Sequence, residues 1–419
     1  MKWTIKIILI FALININLAF AQETTEKLTL DQCIQLALKN NPSLQRSGLS
    51  VEQAHLSMKQ SYSDLYPSLD MSASTSMSDN NLPGSEWESQ WNIQGSVNQN
   101  IYRPGMYSGI QLAKTYEKIT QISNDDLETQ IRLIVENYYY QILTSYALIS
   151  VYQENIRIAN ENLEKIRMMY KVGARTESDI LKAEVQQGDF KALLISEQER
   201  LLGYKRSLNT IMGRSPAIAY EVENISSDDV DIPELEVSKS LLFENNREYQ
   251  ALEQTLKSQE ISLKIAKEAY LPSLSGYYSY SKSDDWAGGT DFTSNQVGIQ
   301  ASLDLFNGFN KKLNVQKENL DLEKVEIELQ EKQRDLMEQL TNLYTSLQTY
   351  NNLISIHEKN VESSKRDLQV VTERYAVGAS TTLDQMNAQA SLLQSQSNLV
   401  KVKYSRKIVE AQIKQLLGY

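Results

Sequence analysis

The chain has 419 residues, of which 41% are hydrophobic, and carries a formal net charge of −11. An acidic balance of this size argues against a nucleic-acid partner. The single cysteine, Cys33, makes no internal disulfide, and two histidines, His55 and His357, are too few and too far apart for a metal site, so no enzyme, cofactor or metal is expected.

Lys2 and Lys6 precede an apolar run from Ile7 to Phe20, closed by the small-x-small group Ala19-Phe20-Ala21. This is the pattern of a secretory signal peptide, residues 1–21, cleaved after Ala21. Its removal takes away two positive charges, so the formal net charge falls from −11 to −13. The run is too short to span a membrane, and no later segment reaches the roughly 20 apolar residues a spanning helix needs. Cys33 lies well past the cleavage point, so it is no lipid attachment site and the protein is not read as a lipoprotein.

The remainder reads as two copies of one unit, offset by 205 positions. Pro67-Ser68-Leu69 returns as Pro272-Ser273-Leu274, Leu148-Ile149-Ser150 as Leu353-Ile354-Ser355, Asn155 as Asn360, Leu163 as Leu368 and Gly213 as Gly418. The expected division is a first unit at 22–215, an acidic connector at 216–235 with Asp228, Asp229, Asp231 and Glu234, and a second unit at 236–419. All seven prolines fall at proposed boundaries and none inside a proposed helix.

In chain order, Thr29 with Gln32 caps a short helix, and Asn41-Pro42 starts another that runs to near Tyr66. After Pro67 the period changes to two. Leu69, Met71, Ala73, Thr75 and Met77 alternate with Ser68, Asp70, Ser72, Ser74, Ser76 and Ser78. Beyond a loop with Pro83-Gly84, Trp91, Ile93, Val97 and Ile101 alternate with Asn92, Gln94, Ser96, Asn98 and Asn100. The second unit repeats the device, with Leu274, Tyr278 and Tyr280, a Gly288-Gly289 loop, then Val297, Ile299, Ala301, Leu303 and Leu305. Strands of about 10–12 residues have the length of a transmembrane β-strand. Tyr66, Trp87, Trp91, Tyr102, Trp286 and Phe306 lie near strand ends, where an interfacial aromatic belt would be. A soluble antiparallel sheet with one wet face shows the same alternation. Four strands close no barrel, and open edges are not tolerated in lipid, so a membrane reading needs several chains.

Gly105 to Val172 and Asn310 to Ala376 are proline-free helical patterns, each on the order of 100 Å long. Leu336, Leu340, Leu343, Leu347, Tyr350, Ile354, His357 and Val361 form a coiled-coil seam. His357 is read as a packed seam residue. Return helices at 177–213 and 381–418 are shorter, and each makes up the length of a long helix when stacked on a helix preceding the strands. The expected fold is mainly α with a β-barrel part completed by several chains.

Between long and return helices stand two related tips, Tyr170-Lys171-Val172-Gly173-Ala174-Arg175-Thr176-Glu177-Ser178-Asp179 and Tyr375-Ala376-Val377-Gly378-Ala379-Ser380-Thr381-Thr382-Leu383-Asp384. Gly173 and Gly378 supply the left-handed end of the long helices. Thr176-x-x-Asp179 and Thr381-x-x-Asp384 fit capping boxes for the return helices.

With these elements in this order the chain resembles the TolC-type outer-membrane efflux protein family. The resemblance rests on Leu28-Thr29-Leu30 through Asn41-Pro42-Ser43-Leu44, the Pro-Ser-Leu strand starts, the strand ends at Asn100-Ile101-Tyr102-Arg103-Pro104-Gly105 and Leu305-Phe306-Asn307-Gly308, and the two Tyr-x-Val-Gly-Ala tips. It implies a homotrimer in the outer membrane and periplasm, with twelve strands in one barrel continued by an α-helical tunnel. Such a duct conducts passively, fed by an inner-membrane transporter through a periplasmic adaptor (membrane fusion) protein, for efflux or type I secretion. By matching position the resemblance carries a periplasmic gate onto Tyr170, Arg175, Thr176, Asp179, Tyr375, Ser380, Thr381 and Asp384. The family's gating arginine falls on Ser380 and a further acidic constriction on Asn387, so Arg175 would need an acid on a neighbouring hairpin. The chain ends at Tyr419 without the C-terminal extension of some members, so an equatorial collar would rest on the connector. Val172, Gly173, Ala174, Val377, Gly378 and Ala379 are the expected adaptor-docking positions. The alternative is a secreted coiled-coil structural or adaptor protein without a pore.

Overall fold

A computed structural model describes residues 26–78, 88–224, 232–285 and 292–418. The expected signal peptide, both strand-connecting loops, Trp87, Trp286 and the connector residues Asp228 to Asp231 lie outside them. The elements, in order, are β1 (Glu26–Leu28), α1 (Leu30–Asn40), α2 (Pro42–Gln60), β2 (Ser68–Ser78), β3 (Glu88–Tyr102), α3 (Met106–Lys171), α4 (Glu177–Ile211), β4 (Tyr220–Val222), α5 (Leu235–Asn245), α6 (Arg247–Glu268), β5 (Ser273–Asp285), β6 (Phe292–Ser302), α7 (Asn310–Ala376) and α8 (Thr382–Leu416). The described residues form two compact units, 26–41, 134–224 and 350–408 in one and those of 42–133, 232–349 and 409–418 in the other. Each sequence repeat contributes to both.

In the first unit, Thr29 caps α1 as expected. Its hydroxyl accepts from the Gln32 N–H at 3.2 Å, and the Gln32 side chain accepts from the Thr29 N–H at 2.9 Å. The connector carries more order than its composition suggests: β4 pairs in parallel with β1, Glu26 to Tyr220 through Leu28 to Val222. A tyrosine of the long helix fastens this pair. Tyr139 is fully buried, and its hydroxyl donates to the Glu223 carbonyl at 2.7 Å and lies 3.2 Å from that of Leu28. In the second unit the residue 205 places on, Tyr344, does the same for the second repeat, donating to the Pro233 carbonyl and meeting the Ser238 hydroxyl at 2.6 Å. Cys33, at the position matching Ser238, has no exposure, and burial pushes its thiol up to about 12, which makes it a small core residue.

Helix ends decide where the short helices meet. The last carbonyls of a helix have no partner within it. At the end of α4, Gly213 takes a left-handed φ of 67°, and the Asn41 side-chain amide donates to the Ile211 carbonyl at 2.9 Å. At the end of α8, Gly418 has φ 78° and the Asn246 amide donates to Leu416 at 3.0 Å. Asn246 also accepts from the Tyr249 N–H at 2.9 Å, so one side chain caps α6 and closes α8. Both asparagines are buried.

The expected helix up to Tyr66 stops earlier. α2 ends at Gln60, and a short 3₁₀ turn, Ser63–Leu65, follows. Ser61 turns its hydroxyl onto the Met58 carbonyl at 2.6 Å, and Tyr66, next to Pro67, is extended at ψ 153° because a residue before proline leaves the helical region.

In the second unit β2, β3, β5 and β6 form one antiparallel sheet in that order. Their lengths are 11, 15, 13 and 11 residues. Register places Leu69, Val97, Tyr278 and Val297 side by side on one face, and Asp70, Ser96, Ser279 and Gln296 on the other. The apolar face is bare: Leu69 is 80% exposed and Val297 82%. The outer strands β2 and β6 each keep an unpaired edge among the described residues.

The long helices span 66 and 67 residues. In α7 the expected seam is the covered side, with Leu336 and Leu340 buried and the positions from Leu343 to Val361 half-buried. His357 is among them, its Nδ1 enclosed without a hydrogen-bond partner. Among the described residues no helix is long and apolar enough to cross a membrane.

The asparagine junctions make the first prediction. Asn246→Ala should cost about 2 kcal/mol, since it leaves a buried carbonyl and a helix N-terminus unpartnered, read from the midpoint of denaturant unfolding in detergent. Gly213→Ala should cost at least as much, because its Cβ would run into the Asn40 carbonyl.

Candidate functional site

The two tips have the same backbone. At the end of α3, the N–H of Ala174 donates to Met169 at 2.9 Å and that of Gly173 to Tyr170 at 2.9 Å, with Gly173 at φ 75°. At the end of α7, Ala379 donates to Arg374 at 2.8 Å and Gly378 to Tyr375 at 3.1 Å, with Gly378 at φ 76°. This is the crossed pair of bonds that ends a helix on a left-handed glycine. Val172 and Val377 follow as bare apolar corners, each 79% exposed.

Both capping boxes form. The Asp179 N–H donates to the Thr176 hydroxyl at 3.3 Å, and the Asp179 carboxylate accepts from the Thr176 N–H at 3.1 Å. Asp384 does the same with Thr381 at 3.1 and 2.8 Å, and also accepts from the Ser380 hydroxyl at 3.2 Å. Burial raises the Asp179 carboxyl, but hydrogen bonds from Thr176 and Thr382 and the charge of Arg175 outweigh it and hold the group below its usual 3.8. The Thr381 backbone and side-chain bonds, with Ser380 and Arg374, likewise depress Asp384.

The side chains then break the symmetry. Tyr375 is buried, packed among Leu163, Ile166 and Ala183 of the first hairpin, whereas its counterpart Tyr170 is exposed. The Arg175 guanidinium rests on the Tyr375 ring, 4.2 Å from its centroid. An acid on a neighbouring hairpin was the expected partner; within the chain Arg175 meets an aromatic face instead, and its charge acts on Asp179 of its own tip. A guanidinium stacked this way contributes about 0.5–2 kcal/mol, the upper end when desolvated. Thr382 completes the link, with its hydroxyl 3.4 Å from that of Tyr375 and bonded to Asp179.

Behind the tips the hairpins are joined by amides, which the sequence reading did not single out. Gln389 donates to the Asn155 carbonyl at 2.9 Å, Asn155 to Gln396 at 3.1 Å, Gln385 to Asn162 at 3.1 Å and Gln186 to the Met386 carbonyl at 2.8 Å. Asn155 and Gln389 are almost fully enclosed. The available signal was Asn155, one of the residues retained at the 205 offset. On the second hairpin, Asn387 lies with Asp384, Arg374 and Val371 around an open hollow of about 550 Å³. Among the described residues no group of His, Cys, Asp and Glu is placed to hold a metal ion.

The profile of the outer membrane efflux protein family matches residues 33–214 and 239–419. The chain is 21% identical over 425 residues to outer membrane protein TolC of Escherichia coli strain K12, covering 97% of this chain and 85% of that protein. It is 22% identical over 410 residues to the toluene efflux pump outer membrane protein TtgC of Pseudomonas putida, covering 93% and 82%. Among solved structures it is similar to CusC, with a TM-score of 0.85 at 16% identity over 94% of this chain and 93% of that one. It is also similar to the outer membrane protein VceC of Vibrio cholerae, with a TM-score of 0.81 at 18% identity over 93% and 96%.

The capping boxes give a pH sign. A carboxylate depressed in the folded chain contributes stability above its usual 3.8, and that contribution is lost as pH falls through the lower folded value. Amide exchange at Thr176 and Thr381 should therefore accelerate below that range relative to the middle of α4 and α8. At neutral pH, Thr176→Ala should speed exchange at the start of α4 roughly fivefold, the equivalent of about 1 kcal/mol of lost cap.

Proposed function

The chain belongs to the outer membrane efflux protein family, and from that premise we propose that it is the outer-membrane exit duct of a tripartite efflux or type I secretion system. The observation that carries this is the sheet. One face bears exposed Leu69, Tyr278 and Val297 beside half-buried Val97, the opposite face is hydroxyls, amides and Asp70, and among the described residues the edges of β2 and β6 are unpaired. Left in water, such an edge with such a face is a liability. Three copies joined edge to edge give twelve strands without an edge, apolar toward lipid and polar toward a water-filled lumen. In this trimer the hairpins continue the duct through the periplasm, and substrates pass without chemistry on the way.

The gate lies at the tips, built on Tyr170, Arg175, Thr176, Asp179, Tyr375, Ser380, Thr381 and Asp384. Its links are individually weak: an exposed ion pair contributes about 0–1 kcal/mol, so threefold repetition is what keeps it shut and what lets a partner open it. The exposed corners of Val172 and Val377, beside Gly173, Ala174, Gly378 and Ala379, are where a periplasmic adaptor docks, linking the duct to an inner-membrane transporter. A secreted coiled-coil or adaptor protein without a pore accounts for the helices and leaves the bare apolar sheet face unexplained.

Three measurements test this. Fractionation should find the protein in the outer membrane, and the detergent-extracted particle should have the mass of a trimer; a soluble periplasmic monomer would sink the reading. Arg175→Ala combined with Asp384→Ala should leave the trimer intact and raise single-channel conductance in a planar bilayer, and unchanged conductance would leave these residues with capping and packing roles only. Cysteines at Val172 or Val377 should cross-link in cells to an adaptor bearing cysteines at its hairpin tip, whereas absence of any such product would remove the docking assignment.

A further inference from the structure

The repeat offset maps the seam between the two hairpins of one chain onto a second seam, between α7 of one copy and α4 of the next. In the first seam, Tyr375 fills a seat made by Leu163, Ile166 and Ala183. The matching positions of the second hairpin are Leu368, Val371 and Ala388, so the apolar floor is retained. Val371 and Ala388 line the open hollow of about 550 Å³. The side chain matching Tyr375 is Tyr170, which is 45% exposed with no seat of its own. A filled seat and its occupant are thus repeated as an empty seat and an unused occupant.

Resting on the trimer proposed above, we infer that Tyr170 of each copy seats in the second-hairpin hollow of a neighbouring copy. We infer also that this interchain seam, not the intrachain one, is where the tip ring parts. The second half follows from what the offset does to the other side chains. Arg175 over Tyr375 becomes Ser380 beside Tyr170 of the neighbouring copy, so the stacked guanidinium is lost. Thr382 bonded to Asp179 becomes Glu177 of the neighbouring copy facing Asp384. Asn162 bonded to Gln385 and Gln389 becomes Asp367 facing Ile180 and Glu184 of the neighbouring copy. The cations on this seam are Arg374, which acts on Asp384, Arg167, already bonded to Glu184 at 2.6 Å, and Lys191, at the position matching Gln396. Two contacts inside the chain that pair no like charges, Thr382 with Asp179 and Gln389 with Asn162, are therefore matched between chains by carboxylates facing carboxylates, while Asn155 with Gln396 is matched by Asn360 facing Lys191. Like charges at contact destabilise where amides bond, and salt screens that repulsion while leaving amide bonds in place.

The test uses the full chain in a Cys33→Ser background, with a short thiol-reactive cross-linker. Tyr170→Cys with Ala388→Cys should give covalently linked multimers on denaturing gels, while Tyr375→Cys with Ala183→Cys should link only within a chain. The interchain yield should rise roughly twofold between low and high salt, as screened like-charge pairs require, and the intrachain yield should stay constant. Glu184→Gln with Asp367→Asn, which writes the intrachain amide pattern into the interchain seam, should raise the low-salt yield to the high-salt level and lower single-channel conductance. A trimer in which Tyr170→Cys and Ala388→Cys never link chains overturns the seating and leaves the proposed function standing. A protein that is monomeric in detergent overturns both. Interchain linking that ignores salt and the double substitution overturns the claim that this seam is the weaker one.

Discussion

A helix that stops beside other helices leaves its last carbonyls unpartnered, and the architecture depends on how two such ends are supplied. The long helices run for 66 and 67 residues, while the return helices stop after 35. At each stop an asparagine that follows a separate short helix bends its amide back onto the orphan carbonyl: Asn41 onto Ile211 and Asn246 onto Leu416. A glycine in the left-handed region lets the chain turn away in the space that is left. Hydrogen bonding to the terminating helix and the start of the next one are thus one local event, so the short helices can do the work of a long one without a buried, unsatisfied end.

Most of this architecture is legible in the sequence because its signals are periodic. α7 begins and ends where the proline-free heptads begin and end, and the alternation around Leu69 or Val297 marks strands of the right length and face. The features that escape reading are those without a period. β1 and β4 have three residues each, too few to alternate. The break at Asn246 carries no proline, since Arg247 stands where the first repeat has Pro42, and only the offset from Asn41 points to it. At the tips the boxes of Thr176 and Thr381 could be read from local spacing, whereas the partner of Arg175 could not. That pairing brings residues 200 positions apart to 4.2 Å, a fact of packing between hairpins and not of either hairpin.

The same distinction explains why two tips with one backbone have two chemistries. Backbone turns depend on Gly173 and Gly378 and on a threonine-to-aspartate spacing, which duplication preserves. The seams depend on pairs, and a pair can change on either side. Within the chain both sides settled on neutral amides, Asn155 with Gln396 and Asn162 with Gln385, with Asn155 and Gln385 buried. Neutral amides hold a fixed geometry without responding to ionic conditions.

The polar face of the sheet has a consequence of its own. Ser72, Gln94, Ser281 and Ser294 lie in one row, and Asp70, Ser96, Ser279 and Gln296 in the next. Short hydroxyls and amides offer a succession of nearly equal, shallow hydrogen-bonding opportunities, broken at Asp70 by a single carboxylate. In the duct proposed above, the uncharged positions make the free-energy profile of a polar solute shallow, and Asp70 is the one charged step among these residues. Under that proposal, rows of this kind leave the choice of cargo to the proteins that load the duct.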